Sequence, residues 1–147
     1  MPLRSYDGIV SQRIANQSAA SASVTDVYTL AEGDFDSVTF KLNVSAVSAT
    51  GGTLDVYIQT TIDGGTNWLD CGHFAQISAS SASDYYMTIP VAGAAAYHGA
   101  GADASLTASS AAGLPLMSRS IRVKGVIATT AFTYTVDALF NNISKAS

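Results

Sequence analysis

The chain has 147 residues and 15.1 kDa, room for one domain of ordinary size, and 69 of its positions carry Ala, Ser, Thr or Gly. Charged residues make up 12%, about half the quarter usual in soluble domains, and Glu32 is the one glutamate among eleven acids. Too few Glu, Lys, Arg and Gln are present to coat a helical bundle, and seven basic against eleven acidic residues, a net charge of -4 with no basic run, argue against nucleic-acid binding.

Met1 to Ala20 holds Arg4, Asp7, Gln12, Arg13 and Asn16 and no apolar stretch of signal-peptide length, so secretion is not expected. Residues 1–23 are polar, Ser/Ala-rich and without strand alternation. They read as an extended N-terminal arm, about 75 Å long at about 3.3 Å per residue. From Val24 onward apolar residues recur at every second position, the period with which a strand turns one face to a core. Val27 to Leu30 is the first such segment, ahead of the acidic turn Glu32-Gly33-Asp34. Val38, Phe40, Leu42 and Val44 then alternate with Thr39, Lys41 and Asn43. Leu54, Val56, Ile58 and Ile62 alternate with Asp55, Tyr57, Gln59 and Thr61, and beyond a Gly-rich turn the chain runs through Trp68, Leu69 and Phe74 to Ile77, a hairpin pattern. Tyr85, Met87 and Ile89 make a short strand stopped by Pro90, which has no N–H for a ladder.

Residues 91–117 are low in complexity and longer than the roughly 12 to 15 residues that unstructured loops usually reach. Two readings stand: a loose surface excursion, or a loop ordered by a neighbouring subunit, with Tyr97, Leu114, Leu116 and Met117 as anchors. His98 and Asp103 interrupt the stretch, far short of the about 18 unbroken apolar residues of a membrane span. Finally, Ile121, Val123 and Ile127 face Phe132, Tyr134, Val136 and Phe140 across residues 128–131, a second hairpin. The expected fold is all-β: an antiparallel β-sandwich or jelly roll of about seven to eight strands over residues 24–147, behind the arm at 1–23.

Candidate chemistry is sparse. Thr61-Ile62-Asp63-Gly64-Gly65-Thr66-Asn67-Trp68 is a turn in which Asp63 bonds backbone N–H groups, Gly64 and Gly65 supply positive φ, and Trp68 staples the strands. These residues resemble the Asp-box of sialidase-type propellers, with Asn67 in place of its final Thr, and that resemblance implies a hairpin closure and not a catalytic centre. Cys71-Gly72-His73 places a thiol and an imidazole two apart on a strand, expected on one face, but a zinc site needs three or four ligands and a catalytic Cys needs a positioned base. Cys71 is the one cysteine, so no internal disulfide forms. Glu32, Asp34 and Asp36 have alternate spacing that offers oxygens to Ca²⁺ but lack the EF-hand pattern, and read as a solvated turn. The sequons at Asn16, Asn43 and Asn142 arise readily in a Ser-rich chain. No cofactor is implied, and an enzyme is the weaker reading.

The arm, the run TLDVYIQTTIDGGTNWLD from Thr53 to Asp70 with His73-Phe74, and the closing strands at Ile121-Arg122-Val123-Lys124 and Thr133 to Val136 resemble small structural proteins of tailed bacteriophages. The resemblance covers about 90 residues. Within that group it favours a capsid decoration (cement) protein. That implies a homotrimer on the outer surface of the virion, made in the bacterial cytoplasm, which binds the major capsid protein and bridges its subunits. In this reading Leu3, Tyr6, Ile9 and Val10 are apolar anchors of the arm, while Arg4 and Arg13 pair with acids on the shell. Two other readings are carried: a carbohydrate- or receptor-binding fibre domain with Tyr57, Tyr85, Tyr86, Tyr97 and Trp68 as a stacking platform, and a tail-tube or head-completion ring protein.

Overall fold

Alternating burial organises the whole molecule. The computed structural model describes residues 11–30, 35–47, 51–78, 83–91, 104, 106–110 and 113–141. Among them there is no helix, hence none long and apolar enough to cross a membrane. Nine strands are formed: β1 (Ser11–Ala20), β2 (Val24–Thr29), β3 (Ser37–Val47), β4 (Thr53–Thr60), β5 (Leu69–His73), β6 (Ile77–Ser78), β7 (Ser83–Pro90), β8 (Ser120–Ala128) and β9 (Phe132–Asn141). They make two antiparallel sheets, one in the order β1-β9-β3-β7 and one in the order β2-β8-β4-β5, with β6 beside β4.

The predicted apolar phases are the ones buried. Val38, Phe40, Leu42 and Val44 of β3 join Phe132, Tyr134, Val136 and Ala138 of β9 in a core shared with Leu54, Val56 and Ile58 of β4 and Ile121 and Val123 of β8. Each fully buried Val, Leu, Ile or Phe side chain contributes about 1.5–3 kcal/mol relative to exposure. Antiparallel registers carry this phase from strand to strand without a slip along β3–β7 and β4–β8.

Two expectations are corrected. Residues 11–20 of the supposed arm form β1, paired with β9. Register shifts between Arg13 and Ala15 and between Gln17 and Ala20 break its alternation, so the consecutive residues Ile14 and Ala15 are both buried and no period of two shows in the sequence. Residues 1–10 lie outside the described residues, and with them Leu3, Arg4, Tyr6, Ile9 and Val10. The expected second hairpin is not a hairpin either: β8 and β9 belong to different sheets, and residues 128–131 carry the chain from one to the other. The Thr130 N–H donates to the Ala128 carbonyl at 3.0 Å around Thr129, whose φ is 78°, a tight three-residue turn that sends the strands onto opposite sides of the core.

The edge strands β1 and β2 are tied across the gap between the sheets. Gln12 Nε2 donates to the Thr29 carbonyl at 3.1 Å and Gln17 Nε2 to Asp26 Oδ2 at 2.8 Å. The β4–β5 hairpin forms as expected, with a bulge opposite Ile58 and Gln59: Ile58 faces Gly72, Gln59 faces Asp70, and Cys71 is the extra residue.

Candidate functional site

The turn between β4 and β5 is closed by its own side chains. Asp63 Oδ1 accepts the Asn67 N–H at 2.9 Å and the Thr61 hydroxyl at 3.0 Å, and Oδ2 accepts Asn67 Nδ2 at 2.7 Å. The Asn67 donors, backbone first, hold the Asp63 carboxyl below its ordinary range. Thr61 Oγ1 in turn accepts the Gly65 N–H at 2.9 Å, and Gly64 and Gly65 take φ of 72° and 100°, values that suit glycine. Trp68 is buried beneath, with the Arg122 guanidinium 5.2 Å over its ring. The Thr61 hydroxyl, the Asp63 carboxylate and the Asn67 amide are thus engaged in closing the turn.

The bulge separates the pair that sequence spacing placed together. Cys71 turns inward, its thiol against the Pro115 carbonyl at 3.8 Å, and burial pushes that thiol well above its ordinary range. His73 turns to the opposite face of the sheet, where its ring stacks on Tyr57 with centroids 3.9 Å apart. Asp55 Oδ1 meets His73 Nε2 at 2.9 Å, Gln76 Nε2 donates to Asp55 Oδ2 at 2.9 Å, and His73 Nδ1 meets the Leu106 carbonyl at 2.8 Å. Beside it, the Asp70 carboxylate accepts Gln59 Nε2 at 2.8 Å, the Ala104 N–H at 2.8 Å and the Leu106 N–H at 2.9 Å, while Arg122 Nε donates to Gln59 Oε1 at 2.6 Å. This buried polar layer was not legible as a unit. Asp55, Tyr57 and Gln59 read simply as the wet side of β4, and nothing local announces that residues near 106 cover them.

The described part of the 91–117 stretch is therefore packed on its own domain. Residues 106–110 and 113–116, here called the strap, run along β5: His73 and Ser110 exchange both backbone hydrogen bonds, and the N–H groups of Gly113 and Leu114 donate to the carbonyls of Cys71 and Asp70. Gly113 is required for this approach, since a Cβ there would lie 2.1 Å from the Asp70 oxygen. Of the anchors proposed from sequence, Leu114 is half-buried, and Leu116 is 3% exposed and belongs to the core. Met117 is 51% exposed, and Tyr97 lies outside the described residues. Arg13, expected to reach for a shell, pairs with Asp137 of the adjacent strand β9.

The stacking platform is not assembled among the described residues. Tyr57 and Trp68 are buried beneath other side chains, and Tyr85 and Tyr86 are consecutive on β7 and so point to opposite faces. Glu32 and Asp34 lie outside the described residues, and among those described no group of three His, Cys, Asp or Glu is placed to hold a metal. Among the described residues one recess open to solvent, of about 390 Å³, is lined by Thr61, Ile62, Gly64, Met117, Ser118 and Ser120, with Ile62 64% exposed, and another, of about 320 Å³, lies between His73, Tyr85, Met87 and Ser110. No family model, curated protein or solved structure was found to match the chain.

Proposed function

We propose that the chain is a non-enzymatic jelly-roll β-sandwich of a tailed-bacteriophage virion, a capsid decoration protein that docks as a homotrimer on the major capsid protein. The observation that carries this reading is the nesting of strand pairs. β1 pairs β9, β2 pairs β8, β3 pairs β7 and β4 pairs β5, the order of one long hairpin, and rolling it up adds the pairs β3–β9 and β4–β8. Jelly rolls of this order recur in viral capsid and lectin domains, an analogy of fold and not of site. Between these two, the dispersal of Tyr57, Tyr85, Tyr86 and Trp68 favours docking over sugar stacking. The side chains able to do chemistry, Asp63, Asp55, Asp70 and His73, are engaged in holding a turn and the strap.

In this reading the recess at Ile62 and Met117 meets the shell. A protein that binds only the assembled lattice stabilises it by mass action, and three modest contacts in one trimer sum through effective concentration. A low charge suits a surface buried between neighbours, where desolvating ions costs energy. The test is a cryo-electron-microscopy map of phage particles that carry this chain. Density for it at three-fold positions outside the shell is the expected result; its assignment to the tail, or a specific hit for the purified protein on a glycan array, would refute the reading.

A further inference from the structure

The edge of β7 is open along part of its length. The Val91 N–H donates to the Asp36 carbonyl on the β3 side, while the Pro90 carbonyl turns away from β3 and accepts the Leu116 N–H. An antiparallel ladder alternates in this way, and the β3–β7 register has no shift. Ile89, Met87 and Tyr85 therefore direct their backbone groups to β3, and Thr88 and Tyr86 present theirs to the open side. No backbone partner for those groups occurs among the described residues. Alongside lies the recess of about 320 Å³. Its floor is Met87 and Phe74, 9% and 3% exposed, and its far wall is the strap at Ser109 and Ser110. Gly72 keeps the floor low: a Cβ there would lie 2.3 Å from Met87 Sδ, so the missing side chain lets the thioether lie against β5. Ser109 on the far wall sits at φ 61°, a strained backbone of the kind that gathers at binding sites.

A segment added at this edge has a set pattern. Residues opposite Tyr86 and Thr88 exchange backbone hydrogen bonds with them, and the residue between, opposite Met87, turns its side chain into the recess. The demand is polar, apolar, polar, in extended form. Asp84 and Pro90 bound the open stretch, so a short segment fits where a full strand does not. The residues that follow β9 carry this pattern, Asn142-Ile143-Ser144. They cannot supply it to their own molecule. The open side of β7 lies three strand spacings from β9, about 14 Å at about 4.8 Å each, whereas Ile143 is two residues beyond the end of β9, a reach of about 7 Å at about 3.5 Å per residue. We propose that residues 142–144 of one copy of the chain dock, extended, on the β7 edge of a second copy. Ile143 enters the recess over Met87 and Phe74, and Asn142 and Ser144 pair with Thr88 and Tyr86. Handed on from copy to copy, the contact closes a ring, and it requires no capsid shell.

The test is amide hydrogen exchange on the full chain across about 100-fold dilution, with the oligomeric state followed by light scattering. Protection of the Tyr86 and Thr88 amides should fall at least about tenfold, because occupancy of a self-associating site follows concentration by mass action, while the amides paired between β3 and β9 keep theirs. In a mixture of differently isotope-labelled chains, magnetisation should pass from the Ile143 methyls of one copy to Met87 of another. Ile143→Ser should weaken association at least about tenfold, the factor expected for one buried aliphatic side chain. Thr88→Pro removes the N–H on the open side and leaves the β3 ladder intact, so it should weaken association as well. Should Thr88→Pro fail to fold, Ile143→Ser, placed beyond the end of β9, carries the test. Fast exchange of Tyr86 and Thr88 at every concentration, their protection in a monomer, undiminished association of Ile143→Ser, or association that needs residues 1–10 in place of Ile143 would each overturn the proposal.

Discussion

A tyrosine hydroxyl buried without a partner offers the sharpest test of how the two sheets meet. Tyr134 on β9 is 1% exposed, its Oη has no hydrogen-bond partner among the described residues, and it abuts Gly125 on β8. A Cβ at Gly125 would lie 2.2 Å from that oxygen and 3.2 Å from Cζ. Gly125→Ala should therefore cost about 1–3 kcal/mol through overpacking. Tyr134→Phe removes an unsatisfied hydroxyl at the expense of a void one oxygen wide and should stabilise by up to about 1 kcal/mol. In the double variant the closest clash is gone, so the two changes should couple by about 1 kcal/mol. Urea denaturation with unchanged m-values reads all three. Alkali gives an independent check. Burial first, and the negative field of Asp26 second, push the Tyr134 phenol up to about 12. A folded value above the unfolded value of about 10 means the contribution is whole below pH 10 and is lost as pH rises toward 12, at about 1.4 kcal/mol per pH unit. Tyr134→Phe should lack that part of the alkaline loss. Additive single effects, or a Phe variant that loses stability at neutral pH, would refute the packing of Tyr134 on Gly125.

The remaining predictions address the turn, the thiol and the strap. Thr129 is β-branched at φ 78° on the exposed tip between β8 and β9, so Thr129→Gly should raise the melting temperature by a few degrees, equivalent to about 1 kcal/mol of relieved strain. Cys71 should resist an aromatic disulfide reagent in the native protein and react once urea unfolds it, since its thiol is buried and held protonated. Leu116→Ala should cost about 2–4 kcal/mol in denaturation, whereas Met117→Ala leaves stability nearly unchanged and weakens binding to capsid shells.

Which features were legible in the sequence follows from which are local. The buried phases of β3, β4, β7, β8 and β9 repeat every second residue, so Phe40, Val56, Ile89, Val123 and Val136 were placed inward correctly. The Asp63 turn was legible for the same reason, its partners Thr61, Gly65 and Asn67 all lying within four residues of it. β1 was hidden because a bulge buries Ile14 and Ala15 side by side, and a bulge at Cys71 reversed the expected facing of His73. Alternation also says nothing about partners. β8 and β9 show the pattern of a hairpin and yet face each other across the core. The contacts that fasten the strap, from Asp55 to His73 and from Asp70 to Leu106, join residues 18 and 36 apart, a separation at which no spacing rule operates.

The edges of the sheets decide what kind of partner the molecule can take. An edge strand offers unpaired backbone groups, and each edge here carries a device that discourages strand addition. β1 is bulged twice, and β2 turns the charged Asp26 inward, where Gln17 holds it. β7 carries Asp84 near its start and ends at Pro90, whose carbonyl accepts the Leu116 N–H. β5 is covered by the strap. With strand addition blunted at β1, β2 and β7, the docking proposed above would fall to side chains at the ends of the sheets, where Ile62 and Met117 are exposed and apolar. The β5 edge differs from the other three because its cover is a separate segment of the chain, which takes up the backbone groups of Asp70, Cys71 and His73 that a further strand would otherwise use.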